Sequence, residues 1–276
     1  MIGHVAGGTK SIRVGAGGIM LPNHAPLVIA EQFGTLESLY PGRIDLGLGR
    51  APGSDQVTAR ALRRFLGSSG DTFPQDLQEL QSYFSGTRSD TDVKAVPGAG
   101  LSVPLYLLGS SDFSARLAAG LGLPFGFASH FARELYRRDF KPSATLAQPH
   151  VIVGAGVYAA DSDAEAHRLF TSAQLMTLNL IRGHPGELPP PVDSMEGYWS
   201  PMEERALRRR TRYSAVGSLQ TVRQRLDAMI DATAADEVIV VAQIQDHAAR
   251  LRSFEIAAQA FREIDAARST AVSSRA

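Results

Sequence analysis

Short apolar runs alternate with segments of helical periodicity along most of the chain, from Ile12 to Ile244. Apolar runs of about four to eight residues between such segments are typical of a parallel sheet whose strands are joined by crossover helices. The pattern therefore predicts an α/β fold. It predicts six strands, over residues 12–19, 44–49, 105–108, 125–128, 150–157 and 237–244.

The first strand-helix-strand unit is the most complete one in the sequence. Pro26 is suited to open a helix, because its fixed φ and its missing N–H cost nothing at the first helical position. Pro41-Gly42 ends this helix before the next strand. The apolar side chains of the helix recur at spacings of three and four, which predicts one face that packs on the sheet. These residues are Ile29, Phe33, Leu36 and Tyr40.

Two connections between predicted strands are long. Residues 51–104 carry helical patterns near 57–66 and 76–84, and residues 181–212 carry three consecutive prolines and the only tryptophan, Trp199. Long connections in compact domains are often lids or binding segments. The connection over residues 181–212 could be such a lid.

The length of 276 residues fits one large domain or two small ones, and one domain is the expectation. A helix over residues 112–121 and a turn at 122–124 join two strands compactly within it. The last residues are small and polar without periodicity. We expect a single domain over residues 1–265 and a disordered tail over residues 266–276.

Composition narrows the partners more than it narrows the fold. The chain has 28 acidic and 28 basic residues, so no large-scale field favours nucleic acid or an anionic membrane, and a small-molecule partner is expected. The absence of cysteine excludes disulfides, thiolate metal sites and a cysteine nucleophile, and the seven histidines show no metal-ligand spacing. No signal-peptide pattern and no apolar run of membrane-spanning length occur, so we expect a cytoplasmic protein.

Two strand ends carry residues suited to a phosphate group. Arg50 follows the second strand, at the carboxyl-end edge where parallel α/β folds bind their ligands, and its guanidinium fork matches a phosphate. Gly109, Ser110 and Ser111 join the next strand to a helix, whose first N–H groups face an anion. The plainer alternatives are a surface salt bridge for Arg50 and helix capping by Ser110 or Ser111.

Other motifs have sufficient structural explanations. Residues 154–159 fit a dinucleotide fingerprint loosely, but their glycines lie inside a predicted strand and no acidic residue follows at about 20 residues, which favours barrel packing. Ser218 is explained as a helix N-cap. Neither a Gly-x-Ser-x-Gly elbow nor a P-loop occurs, so hydrolase and nucleotidase functions have little support.

The first two strands and the helix between them form a long paired motif: a strand, a Leu-Pro helix start, a Pro-Gly-Arg helix end and a strand that closes on Gly-x-Gly-Arg-Ala. This order resembles the bacterial luciferase-like flavin-dependent monooxygenase family, and the resemblance extends to about Phe261. It implies a TIM (β/α)8 barrel and FMN as the cofactor. The motif occupies residues 15–26, GAGGIMLPNHAP, and residues 41–50, PGRIDLGLGR.

The resemblance implies a role for several strand-end residues. Family members hold the flavin phosphate with residues that follow the strand at 105–108 and with the arginine of the preceding strand. The positions that match are Gly49, Arg50, Gly109, Ser110, Ser111 and Ser114. Gly17 and Gly18 match a non-prolyl cis peptide beneath the flavin ring, where glycine permits close backbone approach. An ordinary pair of strand-end glycines is the alternative.

Polar residues after two other strand ends complete the predicted site. Asn23 follows the first strand and is expected to contact the flavin, whereas the neighbouring His24 could equally cap the helix or face solvent. Ser129 and His130 end the strand predicted at 125–128, where they could line the ring pocket. His130 is the candidate for proton transfer, and a loop histidine without a chemical role is the alternative.

The chain departs from the family pattern at its start. Family members usually begin with a strand, a helix and a second strand that ends in a Glu-His-His-like motif. One histidine of that motif assists flavin oxygenation in luciferases. A complete barrel has eight strands, so we expect a barrel truncated to about six that lacks this histidine. A start codon assigned too far downstream is the simplest explanation; a natural short protein, or a dimer that covers the open edge, is the alternative.

The function implied by the resemblance is that of an FMN-dependent monooxygenase. Such an enzyme takes reduced FMN from a separate flavin reductase and uses O2 to oxidise a small organic substrate. Family dimers pack through helices near residues 26–40, so a homodimer is expected. Two alternatives stay open: a non-catalytic flavin-binding protein or inactive fragment, and a deazaflavin-dependent hydride-transfer enzyme.

Overall fold

The computed structural model describes residues 1–50, 72–86, 93–127 and 133–273. The chain divides into two compact units, Met1–Ile152 and Val153–Ala276. Each unit has helices and parallel strands. All six predicted strands are present, with ends that differ by up to three residues. The predicted helix near 57–66 lies outside the described residues.

In the first unit four parallel strands are hydrogen-bonded in the order β1-β2-β3-β4. The strands are β1 (Val14–Met20), β2 (Ile44–Gly49), β3 (Leu105–Gly109) and β4 (Phe125–Phe127). The helices described in this unit are α1 (Ile2–Gly8), α2 (Pro26–Leu39), α3 (Phe73–Ser85), α4 (Asp112–Leu121) and α5 (Arg133–Asp139), with a short 3-10 helix at Leu21–Asn23. Strand β5 (Val151–Ala159) begins at the end of this unit.

The core of the first unit follows the apolar pattern of its sequence. The side chains of Ile44, Leu46 and Leu48, which share one face of strand β2, are inaccessible to solvent. Helix α2 begins at Pro26 and buries Ile29 and Phe33. Leu36 and Tyr40, on the same predicted face, are half-buried. The predicted packing face of this helix is thus confirmed.

The Pro-Gly-Arg end of α2 is a structural element at the start of β2. Gly42 has φ +74°, a left-handed conformation that glycine adopts without steric cost. Arg43 then donates to the carbonyl oxygens of Ala6, Thr9 and Ile12 at 2.9–3.1 Å and to the Thr9 hydroxyl at 2.7 Å. Arg43 therefore satisfies carbonyl groups at the end of α1 and ahead of β1.

In the second unit β5 pairs in parallel with β6 (Ala215–Gly217), and β7 (Glu237–Val241) also pairs with β5. Strand β6 was missed by the sequence analysis because three residues are too few to show alternation. The helices are α6 (Asp163–Ile181), α7 (Pro201–Arg210), α8 (Leu219–Thr233) and α9 (His247–Ser273). Their core includes Tyr158, Leu169, Ala173, Val216 and Ile244.

Helix α9 continues to Ser273, so residues 266–273 are helical where a disordered tail was predicted. One feature of the sequence and one of the structure account for this helical end. Alanine, with the highest helix propensity, recurs at Ala266 and Ala267. The Arg268 guanidinium lies 2.7 Å from Asp227 and 2.6 Å from Asp231 of α8, which ties this part of the helix to its neighbour.

Candidate functional site

The pairing register of the first three strands aligns their carboxyl ends. Met20 of β1 lies opposite Gly49 of β2, and Gly49 lies opposite Leu108 of β3. Arg50, which follows β2, and Gly109, the last residue of β3, therefore lie beside each other at one edge of the sheet. Ligands of parallel α/β folds bind at this edge. The two strand ends predicted to hold a phosphate are thus adjacent in the structure.

Arg50 is held against the first turn of α4. Its guanidinium carbon lies 4.6 Å from the centre of the Phe113 ring, within the distance of a cation–π contact. Among the described residues no carboxylate forms an ion pair with Arg50, so the alternative of a surface salt bridge is not what this part of the chain shows. The contact orients a half-buried guanidinium and leaves its N–H groups available for an anion.

A serine caps the N-terminus of α4, and a second serine lies in its first turn. Ser111 is the N-cap residue, and its Oγ accepts from the Ser114 backbone N–H at 3.4 Å and lies 3.2 Å from Ser114 Oγ. Ser114 is buried and Ser110 is exposed. A Cβ at Gly109 would lie 2.6 Å from the Ser114 side chain, so glycine is required for this close approach. The capping interpretation of Ser111 is confirmed, and the first-turn N–H groups still point beyond the helix end.

The glycines at the ends of β1 and β2 divide into packed and open positions. The Gly17-Gly18 peptide bond is cis, as the resemblance implied. A Cβ at Gly18 would lie 2.5 Å from Leu108 Cδ1 and 2.6 Å from the Gly47 carbonyl oxygen. A Cβ at Gly17 or at Gly49 would meet no atom within 4 Å. Gly18 is therefore needed for packing, whereas Gly17 and Gly49 border open space.

The other predicted residues have different outcomes. Asn23 is buried in the short helix after β1, and its Nδ2 lies 4.0 Å from Met20 Sδ. His24 is exposed, and its backbone N–H donates to the Leu21 carbonyl at 2.9 Å, so it ends that short helix. Ser129 and His130 lie outside the described residues. The proton-transfer role of His130 stays a prediction.

Ser218 is the N-cap residue of α8, as predicted, but its side chain makes no capping hydrogen bond to the helix backbone. The carboxylate of Asp163 accepts instead from the Ser218 backbone N–H at 2.5 Å and from the Thr221 hydroxyl at 3.2 Å. Ser218 Oγ lies 3.5 Å from Thr221 Oγ1. The hydrogen bonds from Ser218 and Thr221 hold the pKa of Asp163 below its usual value. The chain thus provides its own anion at the start of α8.

The site also contains a residue that sequence reasoning missed. Phe113 lies 63 positions after Arg50 in the chain, and nothing in the local pattern marks an aromatic residue on an exposed helix start as a partner for that arginine. Within the described ranges, no group of three His, Asp or Glu side chains is arranged to hold a metal ion. No helix of those ranges is long and apolar enough to cross a membrane.

Comparison with known sequences connects this geometry to a family. The model of the luciferase-like monooxygenase family matches residues 1–258. A luciferase-like monooxygenase of Escherichia coli K12 is 52% identical over 264 residues, which cover 93% of this chain and 79% of that protein. The match includes both strand ends of the candidate site.

Solved structures share the fold. The crystal structure of apo-MsnO8 is 35% identical, with a TM-score of 0.80 over 95% of this chain and 81% of that one. The oxygenating constituent of 3,6-diketocamphane monooxygenase from the CAM plasmid of Pseudomonas putida, solved with FMN, has a TM-score of 0.63 at 19% identity, covering 92% and 80% of the two chains. An F420-dependent secondary alcohol dehydrogenase, solved with an F420–acetone adduct, has a TM-score of 0.63 at 12% identity, covering 94% and 82%.

The family match and the structural neighbours agree with the predicted α/β fold of TIM-barrel type. Proteins with this fold include oxidoreductases that bind FMN and others that bind F420. The chain belongs to the luciferase-like monooxygenase family.

Proposed function

We propose that this protein binds FMN at the carboxyl ends of β1, β2 and β3 and uses it, in reduced form and with O2, to oxidise a small organic substrate. The observation that carries the proposal is the contact between Arg50 and Phe113 in the first turn of α4, which we call the Arg50 corner. At this corner the positive charge of the guanidinium lies beside the partial positive charge of the helix N-terminus. A separate flavin reductase supplies the reduced FMN.

The donors at this corner fit a phosphate monoester. Arg50 offers two guanidinium edges, Ser111 and Ser114 offer hydroxyl groups, and α4 offers the N–H groups of its first turn. Asp112 is the acidic residue of that turn, and its side chain is exposed to water. A dianionic phosphate would therefore meet donors of three kinds.

The neighbouring surface fits a flat ring. Gly17 and Gly49 present backbone without a side chain to open space, whereas Leu108 packs behind Gly18 and supports it. A planar ring system can approach a backbone surface of this kind closely. Asn23 adds a buried amide at the end of β1. Together these residues would hold the ring system of FMN, with its phosphate at Arg50.

Reduced FMN, when bound, supplies the two electrons with which one atom of O2 enters the substrate and the other leaves as water. The task of the chain is to bind and orient FMN and to exclude water around it. His130 remains the proposed group for proton transfer, and a homodimer through α2 remains part of the proposal. Val28 and Leu39 of α2 are exposed by 44% and 63%.

Titration with FMN and with riboflavin, which lacks the phosphate, tests the proposal. Replacing Arg50 with alanine removes a charged hydrogen-bond donor, so we expect a loss of roughly 1.5–3 kcal/mol for FMN, or roughly 10- to 150-fold in Kd. Riboflavin should lose little. Equal FMN affinity of the wild-type and R50A proteins would remove Arg50 from the site.

Arg116→Ala is the matched control, because Arg116 lies on the same helix, α4, and pairs with Asp139 at 3.7 Å. It changes net charge by the same amount, and we expect unchanged FMN affinity. Titration with F420 decides whether a deazaflavin is the natural cofactor, in which case it binds more tightly than FMN. Formation of an oxygenated product from candidate organic substrates, with a flavin reductase, NADH and O2 present, separates a monooxygenase from a flavin-binding protein without turnover, because free reduced FMN consumes O2 without any help from the protein.

A further inference from the structure

The second unit contains a cavity of about 590 Å³ that the flavin proposal does not use. It lies between α6, the segment that leads into α7, the end of α7 and strand β6. None of the predicted flavin-site residues in the described ranges lines it. Its volume falls within the range of small-molecule sites, about 300–1,000 Å³.

The floor of this cavity is apolar. Met195, Leu207 and Val216 are buried, with exposed fractions between 0% and 6%. Phe170 and Trp199 are half-buried and complete the floor. The Phe170 ring lies 4.6 Å from the buried Tyr158 ring, which fixes its position. A ligand body that covers this floor would have to be apolar or aromatic.

The rim of the cavity is basic. Four arginines and one carboxylate line it, although the whole chain has equal numbers of acidic and basic residues. The arginines are Arg168, Arg208, Arg212 and Arg225, and the carboxylate is Asp193. Such a local excess creates a positive potential that attracts anions.

In the described part of the chain, two of these arginines have a carboxylate partner and two do not. Arg168 pairs with Glu165 at 2.8 Å, and Arg208 pairs with Glu204 at 2.7 Å. Arg212 lies 5.5 Å from the centre of the Tyr213 ring. In the described part of the chain no carboxylate forms an ion pair with Arg212 or with Arg225. Arg212 precedes strand β6 and Arg225 belongs to helix α8, and both side chains line the rim of this cavity.

The walls of the cavity are held by hydrogen bonds. Thr171 Oγ1 accepts from the Val192 N–H at 2.8 Å and lies 3.0 Å from the Val192 carbonyl oxygen. These contacts hold the segment that precedes α7 against α6. Arg182 donates to Glu203 at 2.7 Å and to the Tyr198 carbonyl at 2.8 Å, which fastens the start of α7. A preformed cavity lowers the entropy cost of binding.

We propose that this cavity binds a small amphiphilic organic anion, whose apolar body lies on the floor beside Trp199 and whose carboxylate or phosphate group pairs with Arg212 and Arg225. Both parts of the ligand have a counterpart in the lining. A purely apolar ligand would leave the two guanidinium groups unused, and an inorganic anion would leave the floor uncovered.

Sodium decanoate is a suitable probe, with 1-decanol as the neutral match of the same chain length. Trp199 is the only tryptophan, so its emission reports on this cavity, and calorimetry reports binding independently of emission. We expect saturable binding of decanoate that is at least tenfold tighter than that of decanol and that weakens when salt is added. Absence of saturable binding in both measurements would overturn the proposal.

The double variant Arg212→Gln with Arg225→Gln tests the anionic contact. We expect at least a tenfold loss of decanoate affinity and no change for decanol. Arg205→Gln with Arg262→Gln is the matched control, since both arginines are exposed and neither lines the cavity. Equal decanoate affinity of the two double variants contradicts the proposal. Thermal unfolding of each variant confirms that the fold is intact.

Discussion

Helices α4 and α8 both begin directly after a parallel strand, but their N-termini are completed in different ways. At α8 the carboxylate of Asp163 accepts from the Ser218 N–H and the Thr221 hydroxyl. At α4 the N-cap is the neutral Ser111, the first-turn Asp112 side chain is exposed to water, and the Arg50 guanidinium lies over the Phe113 ring. One helix start thus has an internal anion, and the other has an internal cation.

The strand-end glycines near the two helix N-termini also differ in how much space surrounds them. A Cβ at Gly217, ahead of α8, would lie 2.6 Å from Asp163 Oδ1 and 2.6 Å from Thr221 Cγ2, so the space is filled by the chain itself. Ahead of α4 a Cβ at Gly109 would likewise lie 2.6 Å from Ser114, but a Cβ at Gly49, at the end of the neighbouring strand β2, would meet no atom within 4 Å. A helix N-terminus favours an anion in both places. The comparison therefore indicates that α8 is complete as it stands, whereas α4 is arranged for an external anion.

The largest effect is expected when α4 receives the internal anion that α8 has. Ser111→Asp keeps a good N-cap but places a carboxylate where the FMN phosphate is proposed to bind. Like charges about 4 Å apart repel by roughly 4 kcal/mol at an effective dielectric constant of 20, so the FMN affinity should fall at least about 100-fold, as measured by flavin fluorescence titration.

Ser200→Asp is the control for this substitution. Ser200 caps α7 through an acceptor bond from the Glu203 N–H at 3.4 Å, the same distance as in the Ser111 cap. We expect wild-type FMN affinity in this variant. If S111D binds FMN as tightly as S200D, the phosphate does not bind at α4.

A smaller effect, on stability, is expected from the two glycines. Gly217 has φ +146°, which side-chain-bearing residues rarely adopt, so Gly217→Ala adds backbone strain to the close contacts with Asp163 and Thr221. We expect a loss of about 2–3 kcal/mol in the free energy of unfolding, seen as a Tm lower by roughly 5–10 °C. Gly49→Ala should leave Tm within about 2 °C and weaken FMN binding. Equal Tm values for the two variants would show that the two strand ends do not differ in packing.

The sequence predicted the elements of both regions well where local signals were strong. Strand 44–49 and helix 112–121 match the structure at both ends, because a Pro-Gly turn precedes the one and Ser111 and Gly122 bound the other. Strand β6 had no comparable signal in its three residues. The end of α9 was misjudged because small residues were taken as a sign of disorder, although alanine also favours helix.

Within the site, positions were predictable and partners were not. Arg50, Gly109 and Ser111 could be located because carboxyl ends of neighbouring parallel strands meet at one edge. The Arg50–Phe113 contact and the Asp163–Ser218 bond depend on which elements become neighbours in space, and the second joins residues 55 positions apart. Local pattern contains no information on such pairs. That is why Ser218 could be placed at the N-cap of α8, whereas the Asp163 carboxylate that accepts from its N–H could not be predicted.

The smallest expected effect is on the pH dependence of stability, to which Asp163 contributes at the N-terminus of α8. Hydrogen bonds from Ser218 and Thr221 lower the pKa of Asp163 in the folded protein. A carboxyl group with a lowered folded pKa stabilises the protein above its unfolded pKa, near 3.9, and this contribution is lost as pH falls through the folded value. Asp163→Asn keeps the shape but removes the charge. We expect its Tm to lie below that of the wild type at pH 7, and the difference to shrink as the pH falls below about 4 and to vanish below the lowered pKa of the folded protein's Asp163. A Tm difference that stays constant between pH 7 and pH 3 would mean that the charge of Asp163 contributes nothing at α8, and the contrast with α4 would then lie in packing alone.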